Sequence, residues 1–248
     1  GAFDSANACV RAVAVANTVA FTGSALADNY TLANPTENVA GQIDKAILTA
    51  TNTAAATKTY DGNTTAAITG TLAGLVNGET AVFSQAGTFD SPNAGVRTVA
   101  VANTVAFTGS ALADNYALVN PTQSVAGQID KATLTATNTA AASKTYDGNT
   151  TAAITGTLSG LVNGESLTFT QTGSFDSANA GARSVAVVNA VADNGATLAS
   201  NYKLVNPTET VVGQIDKAPL TATVSAPGKT YDGSVAATPT LTITSGLV

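Results

Sequence analysis

Aspartates at regularly recurring positions are the residues of this sequence best suited to chemistry, because hard carboxylate oxygens could bind a calcium ion. They lie singly in turn-like segments and do not form the dense Asp-x-Asp-x-Asp spacing of a calcium loop. We therefore interpret them as solvated or turn-capping side chains and predict no metal site. The recurring positions are Asp61, Asp147 and Asp232; Asp90 and Asp176; and Asp44, Asp130 and Asp216.

The sequence lacks the groups that most enzymes use for acid, base or nucleophilic catalysis. It contains no histidine, so the commonest general base and any Ser-His or Cys-His pair are absent. Its single cysteine, Cys9, stands where the other repeats have Gly95 and Gly181. We interpret Cys9 as a drifted small residue, with an intermolecular disulfide as the alternative. We predict no catalytic residue, no cofactor and no enzyme activity.

Basic residues also recur at equivalent positions. An arginine in a Val-rich strand could bind a ligand, but packing of its stem on apolar surface or pairing with a carboxylate such as Asp90 is the simpler interpretation. A lysine five residues before an asparagine could form an isopeptide crosslink, although nearness in sequence does not establish a reactive pair. The arginines are Arg11, Arg97 and Arg183, and the lysines with their asparagines are Lys58 with Asn63, Lys144 with Asn149, and Lys229.

Composition excludes several classes of function. A net charge of −6 with ten basic residues argues against nucleic-acid binding, which depends on clustered lysine and arginine. No run approaches the roughly 18 apolar residues of a membrane span, and no signal-peptide pattern begins the chain. Because the sequence starts at Gly1 without methionine, we expect a piece of a longer or processed polypeptide.

An internal repeat organises the chain. Tyr60-Asp61-Gly62 recurs 86 residues later as Tyr146-Asp147-Gly148, and Ile-Asp-Lys recurs at the same interval. A unit of this length exceeds the roughly 20–45 residues of a solenoid repeat and suffices for a small domain. We predict the back part of a repeat at 1–45, complete repeats at 46–131 and 132–217, and the front part of another at 218–248. The junction Gln128–Thr137 between the two complete repeats contains no Gly or Pro linker, which limits bending.

The apolar pattern within each repeat is that of β-strands. In 99–107, valines and Phe107 alternate with alanines, which places large side chains on one face. Asn77-Gly78 and Asn163-Gly164 are expected to connect antiparallel strands, and the Ala-rich segment Thr53–Ala56 is too short to nucleate a helix. We predict an all-β fold with five or six strands per repeat, arranged as tandem small β-sandwich or β-grasp-like domains, beads in an elongated rod.

The aromatic residues follow the repeat, and we expect them to anchor the cores because they bury the most apolar area. Phe21 and Phe107 occupy the same repeat position, and the last complete repeat has Asp193 there. We therefore assign this position to the rim of the core. Every tyrosine lies in Tyr-Asp-Gly or Asn-Tyr. The predicted structural motif comprises Tyr60, Asp61, Gly62, Tyr146, Asp147, Gly148, Tyr231, Asp232, Gly233, Tyr30, Tyr116 and Tyr202.

Three ordered motifs carry a family resemblance: Ile129–Thr137, Lys144–Thr151 and Asn201–Thr208. Together they resemble the YDG-type repeats of large bacterial adhesins of the filamentous-haemagglutinin kind. The resemblance implies an exported, secreted or cell-surface protein in which repeats form a stalk, spacer or fibre shaft, and it implies no activity. The alternative function is a multivalent binding module for glycans or a surface partner.

The two partial repeats suggest a partner. Gly1–Lys45 and Ala218–Val248 are complementary portions of one repeat and together lack only the equivalent of Asn77–Ala86. We expect possible head-to-tail assembly of chains by strand addition. The alternatives are that the chain is a window on a longer continuous array, or that it ends at proteolytic boundaries that half-domains tolerate. None of these interpretations identifies a ligand.

Overall fold

The computed structural model describes residues 1–22, 28–108 and 110–248, and they are organised as two compact units. Unit 1 comprises Gly1–Lys58 and Asn63–Ile129, and unit 2 comprises Thr59–Gly62 and Asp130–Val248. The predicted all-β class is confirmed, because strands dominate both units. The described helical segments are one short helix, α1 (Ser110–Ala113), and a single 3-10 turn at Ala199–Asn201.

Strands of the first 130 residues form three sheets, in the orders β1-β2-β3, β10-β4-β7 and β5-β11-β9-β8-β6. Neighbouring strands are antiparallel in most pairs, and β4 and β10 are parallel. The strands are β1 (Ala2–Phe3), β2 (Cys9–Ala16), β3 (Thr36–Ile43), β4 (Ala46–Asn52), β5 (Lys58–Thr59), β6 (Thr65–Ala66), β7 (Gly70–Ala73), β8 (Ala81–Phe89), β9 (Gly95–Phe107), β10 (Tyr116–Leu118) and β11 (Thr122–Asp130).

The remaining strands repeat this pattern, with sheets ordered β15-β12-β18 and β13-β19-β17-β16-β14 and a final two-stranded sheet, β20-β21. Here β12 is parallel to β18, as β13 is to β19. The strands are β12 (Ala132–Asn138), β13 (Lys144–Thr145), β14 (Thr151–Ala152), β15 (Gly156–Ser159), β16 (Thr168–Phe175), β17 (Gly181–Ala192), β18 (Tyr202–Leu204), β19 (Thr208–Asp216), β20 (Thr221–Ser225) and β21 (Thr240–Ser245).

Alternation along the strands builds each core. In β17, Val185, Val187 and Asn189 are buried while the intervening residues are exposed, as period-two side-chain geometry requires. The ring of Phe175 packs close to Gly213, where a Cβ atom would lie 2.7 Å from the ring. Removing this apolar surface from water stabilises the unit by about 25 cal/mol per Å². The buried cluster comprises Ala141, Ala152, Phe175, Val185, Val187 and Ile215.

Two expectations about the strands are wrong. Among the described residues each repeat has eight strands, because two- and three-residue pieces such as β5 and β6 pair with longer strands. The Asn77-Gly78 turn has the expected positive φ angles, 52° and 71°. It does not close a hairpin, because β7 pairs with β4 while β8 pairs with β6 and β9 in a different sheet. The chain leaves the first sheet at Gly74, whose φ is 104°.

The partial repeats bury little surface. Phe3 in residues 1–45 is 45% exposed, whereas its equivalent Phe89 is 2% exposed. In residues 218–248, Tyr231 is 94% exposed, whereas its equivalent Tyr60 is 6% exposed. The same residue type at the same repeat position is therefore buried in one copy and exposed in another. The difference arises because only the buried copies pack against other parts of their unit.

Candidate functional site

The Tyr146-Asp147-Gly148 turn is locked by its own side chains. Lys144 Nζ lies 2.7 Å from Asp147 Oδ1 and donates hydrogen bonds to the main-chain and side-chain oxygens of Asn149, at 2.8 and 2.7 Å. The hydrogen bond from Lys144, with that from the Asn149 main-chain N–H, holds the pKa of Asp147 below its usual value. Gly148 supplies a φ of 78°, in the left-handed region that favours glycine.

The same lock recurs at the other two Tyr-Asp-Gly turns. Lys58 Nζ donates to Asn63 O at 2.8 Å, and Lys229 lies 3.0 Å from Asp232. The Ser234 main-chain N–H, and then Lys229, lower the pKa of Asp232. An ammonium that donates to several oxygens has no lone pair with which to attack an asparagine. The geometry therefore favours a hydrogen-bonded lock over an isopeptide crosslink.

Tyr60 is a buried member of unit 2 and shares one carboxylate with a second tyrosine. Its hydroxyl donates to Glu165 Oε1 at 2.7 Å, and the Tyr202 hydroxyl donates to Glu165 Oε2. The two rings meet edge to face, with centroids 5.4 Å apart, the arrangement that aromatic quadrupoles prefer. Tyr60 is 6% exposed and Tyr202 is 4% exposed. Both oxygens of Glu165 thus accept hydrogen bonds from tyrosine.

Main-chain contacts hold the rest of this turn. The Tyr60 N–H donates to Asp130 O at 2.8 Å, and the Asn163 side-chain amide donates to Asp61 O, also at 2.8 Å. Gly62 has a φ of 76°, in the left-handed region that favours glycine, and a Cβ atom there would lie 2.9 Å from Asn163 Nδ2. The Asn201 side chain also hydrogen-bonds to Tyr60. We define the unit 2 socket as the residues that receive this turn: Asp130, Asn163, Glu165, Asn201 and Tyr202.

The electrostatics of the socket keep both tyrosines protonated. Burial, followed by the hydrogen bond to Glu165, raises the pKa of Tyr60 from 10.0 to about 12. The same two causes, in the same order, raise the pKa of Tyr202. Protonated hydroxyls that both donate to one carboxylate form a stable contact. Both oxygens of that carboxylate are therefore engaged by tyrosine within unit 2.

The chain matches a known protein family. The YDG domain family matches residues 44–125 and 130–210. The chain belongs to this family. A search of curated proteins and a search of solved structures each found no match. The first match contains the Tyr60 turn, and the second contains the Tyr146 turn together with Glu165 and Tyr202.

The other tyrosines of the YDG repeats occupy diverse environments. Tyr116 is buried and stacks on Phe107. Its hydroxyl donates to Glu79 Oε2 at 2.5 Å, and this hydrogen bond raises the pKa of Tyr116. Tyr146 is partly buried at the margin of the unit 2 core. The expectation that every aromatic ring anchors a core is wrong for Tyr30 and Tyr231, which are 66% and 94% exposed in the partial repeats. Phe107 is half-buried, as expected for a rim residue.

Sequence analysis missed a buried amide network in each complete YDG repeat. In unit 2, Asn206 of the Asn-Pro-Thr motif pairs with the main chain of Ala136 in both directions, at 2.9 and 2.6 Å. Asn189 donates to Asn206 O at 3.0 Å, and Gln171 donates to Asn189 Oδ1 at 3.1 Å and also to Asn138. An asparagine in a Val-rich strand was the available signal, because a buried amide requires partners.

The remaining candidate residues make local contacts. Arg97 donates to the main-chain carbonyls of Asn93 and Ala94, at 2.8 and 3.3 Å. Cys9 is exposed and free. Across the described ranges, no three acidic, cysteine or histidine side chains cluster as metal ligands would. The described helices are also too short to cross a membrane.

Proposed function

We propose that this chain is a non-catalytic structural repeat segment of an exported bacterial adhesin or surface filament. In this role its YDG repeats form a stalk, spacer or fibre shaft at the cell surface or in a secreted fibre. One observation carries the proposal. The Tyr60-Asp61-Gly62 turn, which belongs by sequence to the first complete repeat, is built into unit 2 by Glu165, Tyr202 and Asn163.

The chemistry of the motif supports a structural role. The Glu165 carboxylate accepts two tyrosine hydroxyls, and the lysine and aspartate of the Tyr146 turn pair with each other. The polar groups that could have acted on a substrate are therefore engaged within the protein. A turn held by a hydrogen bond to a carboxylate, an edge-to-face ring contact and a main-chain contact resists unfolding of unit 2, as a load-carrying protein requires.

Pulling the intact chain by its ends in a single-molecule force experiment tests the proposal. Each complete repeat should unfold in a separate force peak that releases about 300 Å of chain for 86 residues, less its folded length. A Tyr60→Ala variant should lower the force of at least one peak because it removes the shared Glu165 contact. Smooth extension without peaks, or an unchanged force in the variant, would contradict a load-carrying role.

The alternative, a multivalent glycan-binding module, predicts a conserved exposed patch in each repeat. Equivalent positions differ instead: Phe107 stacks on Tyr116, whereas Asp193 accepts a hydrogen bond from the Ala199 N–H at 2.7 Å. Ala117 is half-buried and Lys203 is exposed. A glycan array should therefore give no saturable signal that grows with the number of repeats. Such a signal would replace the stalk proposal with the binding module.

A further inference from the structure

Unit 1 contains an open cavity of 260 Å³ whose lining repeats the unit 2 socket. Its polar lining includes Asp44, Asn77, Glu79, Asn115 and Tyr116. Each of these residues stands 86 positions before its counterpart in the unit 2 socket and is of the same type. We call these five residues the unit 1 socket. Their counterparts are Asp130, Asn163, Glu165, Asn201 and Tyr202.

The unit 1 socket has the geometry that receives Tyr60 in unit 2. The Tyr116 hydroxyl donates to Glu79 Oε2 at 2.5 Å, just as Tyr202 donates to Glu165 Oε2. Asn77 has a φ of 52°, against 51° for Asn163. The Glu79 main-chain N–H donates a hydrogen bond to Val76 O at 3.0 Å, which closes the turn that contains Asn77. The carboxylate, its turn and the aromatic wall therefore have matching contacts in both sockets.

The chain also displays a folded copy of the turn that fits this socket. The ring of Tyr231 is 94% exposed, so its hydroxyl and both faces are accessible. Gly233 has a φ of 74°, against 76° for Gly62 in the bound turn. Asp232 Oδ1 pairs with Lys229 Nζ at 3.0 Å and accepts a hydrogen bond from the Ser234 main-chain N–H at 2.9 Å. The backbone at the glycine of the exposed turn therefore has nearly the same φ as in the bound turn.

We propose that the unit 1 socket binds the Tyr231-Asp232-Gly233 turn of a second copy of this chain. The Tyr231 hydroxyl donates to Glu79 and its ring packs edge-on against Tyr116, while the Asn77 side chain donates to the main-chain oxygen of Asp232. These contacts repeat those of Tyr60 in the unit 2 socket. The interface is small, so we expect a dissociation constant on the order of 1 mM. The inference goes beyond the stalk proposal and does not depend on it.

Paramagnetic NMR on two differently labelled copies tests the inference. The first copy is isotopically labelled and carries Cys9→Ser. The second carries a nitroxide on Cys9, the only cysteine of the sequence, which follows the cavity-lining residue Ala8. On mixing, amide signals of the Tyr231 turn should lose intensity more than those of the Tyr146 turn. Tyr231→Ala in the labelled copy should restore intensity to the neighbouring amides, because it removes the ring that enters the socket.

Matched variants separate this contact from other encounters. Tyr30→Ala changes another exposed tyrosine and should leave the loss of intensity unchanged. Glu79→Ala in the nitroxide copy should abolish the loss, provided that its strand signals remain those of the folded chain. If Glu79→Ala fails to fold, Tyr231→Ala still decides, because it alters a fully exposed side chain. Equal intensity loss with Tyr231→Ala, or no loss at millimolar concentration, would overturn the inference.

Discussion

At the scale of single residues, the Glu165 carboxylate holds the Tyr60-Asp61-Gly62 turn in place by accepting a hydrogen bond from Tyr60. It joins Tyr60 to Tyr202, which are far apart in sequence, through its two oxygens. A hydrogen bond to a charged group contributes roughly 1.5–3 kcal/mol, about twice the value for a neutral pair. Tyr116 with Glu79 forms half of the same arrangement in unit 1.

The raised pKa of the clustered tyrosines predicts alkaline sensitivity. Tyr60 titrates near 12 when folded and near 10.0 when unfolded, so the folded state binds more protons between these values. The stabilisation is complete below pH 10 and is lost as pH rises toward 12. Urea unfolding followed between pH 9 and about pH 12 should show this decline.

Substituting the shared carboxylate tests the cause of the raised pKa. Glu165→Gln should reduce the pKa shift of Tyr60 without abolishing it, because burial is the largest cause of that shift. An unchanged tyrosinate titration in that variant would contradict the assigned hydrogen bonds.

Burial of the Tyr60 ring predicts a large cost for its removal. Tyr60→Ala should destabilise unit 2 by about 3–5 kcal/mol, the usual cost of truncating a buried aromatic side chain. Tyr231→Ala is the matched control, since it changes the same motif position where the ring is 94% exposed. Its effect should stay within about 0.5 kcal/mol. Urea denaturation, followed by unit 2 NMR signals, measures both, and equal effects would contradict the environments described.

At the scale of elements, the asparagine of the Asn-Pro-Thr motif uses its side-chain amide to hydrogen-bond the main chain of a strand. The Asn206 side chain pairs with Ala136 in β12 much as a neighbouring strand would. Asn189, which is 3% exposed, continues the network from within β17. A fully paired buried amide specifies one arrangement of the two sheets, because any other arrangement leaves it unsatisfied.

This pairing predicts the effect of a nearly isosteric substitution. Asn206→Asp keeps an acceptor for the Ala136 N–H but replaces the donor to Ala136 O with a second acceptor. The variant should lose about 1–3 kcal/mol, the cost of leaving a buried carbonyl unsatisfied. Asn34→Asp is the matched control, because Asn34 holds the same repeat position but is exposed. Thermal unfolding compares the two, and a loss as large for Asn34→Asp would argue against the network.

At the scale of the whole molecule, the proposed stalk predicts an elongated particle. In sequence, only Lys131 separates the last strand of one YDG repeat from the first strand of the next. In an array of repeats each unit contacts only its neighbours, so a stalk extends along one direction. Small-angle scattering should give a radius of gyration well above the roughly 18 Å expected for one compact domain of this length. A value near 18 Å would rule out the rod.

The sequence by itself determined the repeat, the all-β class and the YDG family. Strands and turns are local, so period-two alternation and Asn-Gly turn chemistry can be read from neighbouring residues. Thr53–Ala56 does not form a helix, as its length predicted. The positive φ at Asn77 also followed from residue type. The domain boundaries and the stalk role remain predictions.

Only the tertiary structure decided which residues meet. Tyr60 joins Glu165 across 105 residues, and no local pattern indicates which carboxylate receives a given hydroxyl. The Asn77-Gly78 turn connects two sheets because pairing depends on partners distant in sequence. Tyr60 and Tyr231 share one motif yet differ in burial, since burial belongs to the surroundings and not to the residue type. Local chemistry made the turn, and long-range packing determined whether its tyrosine was buried.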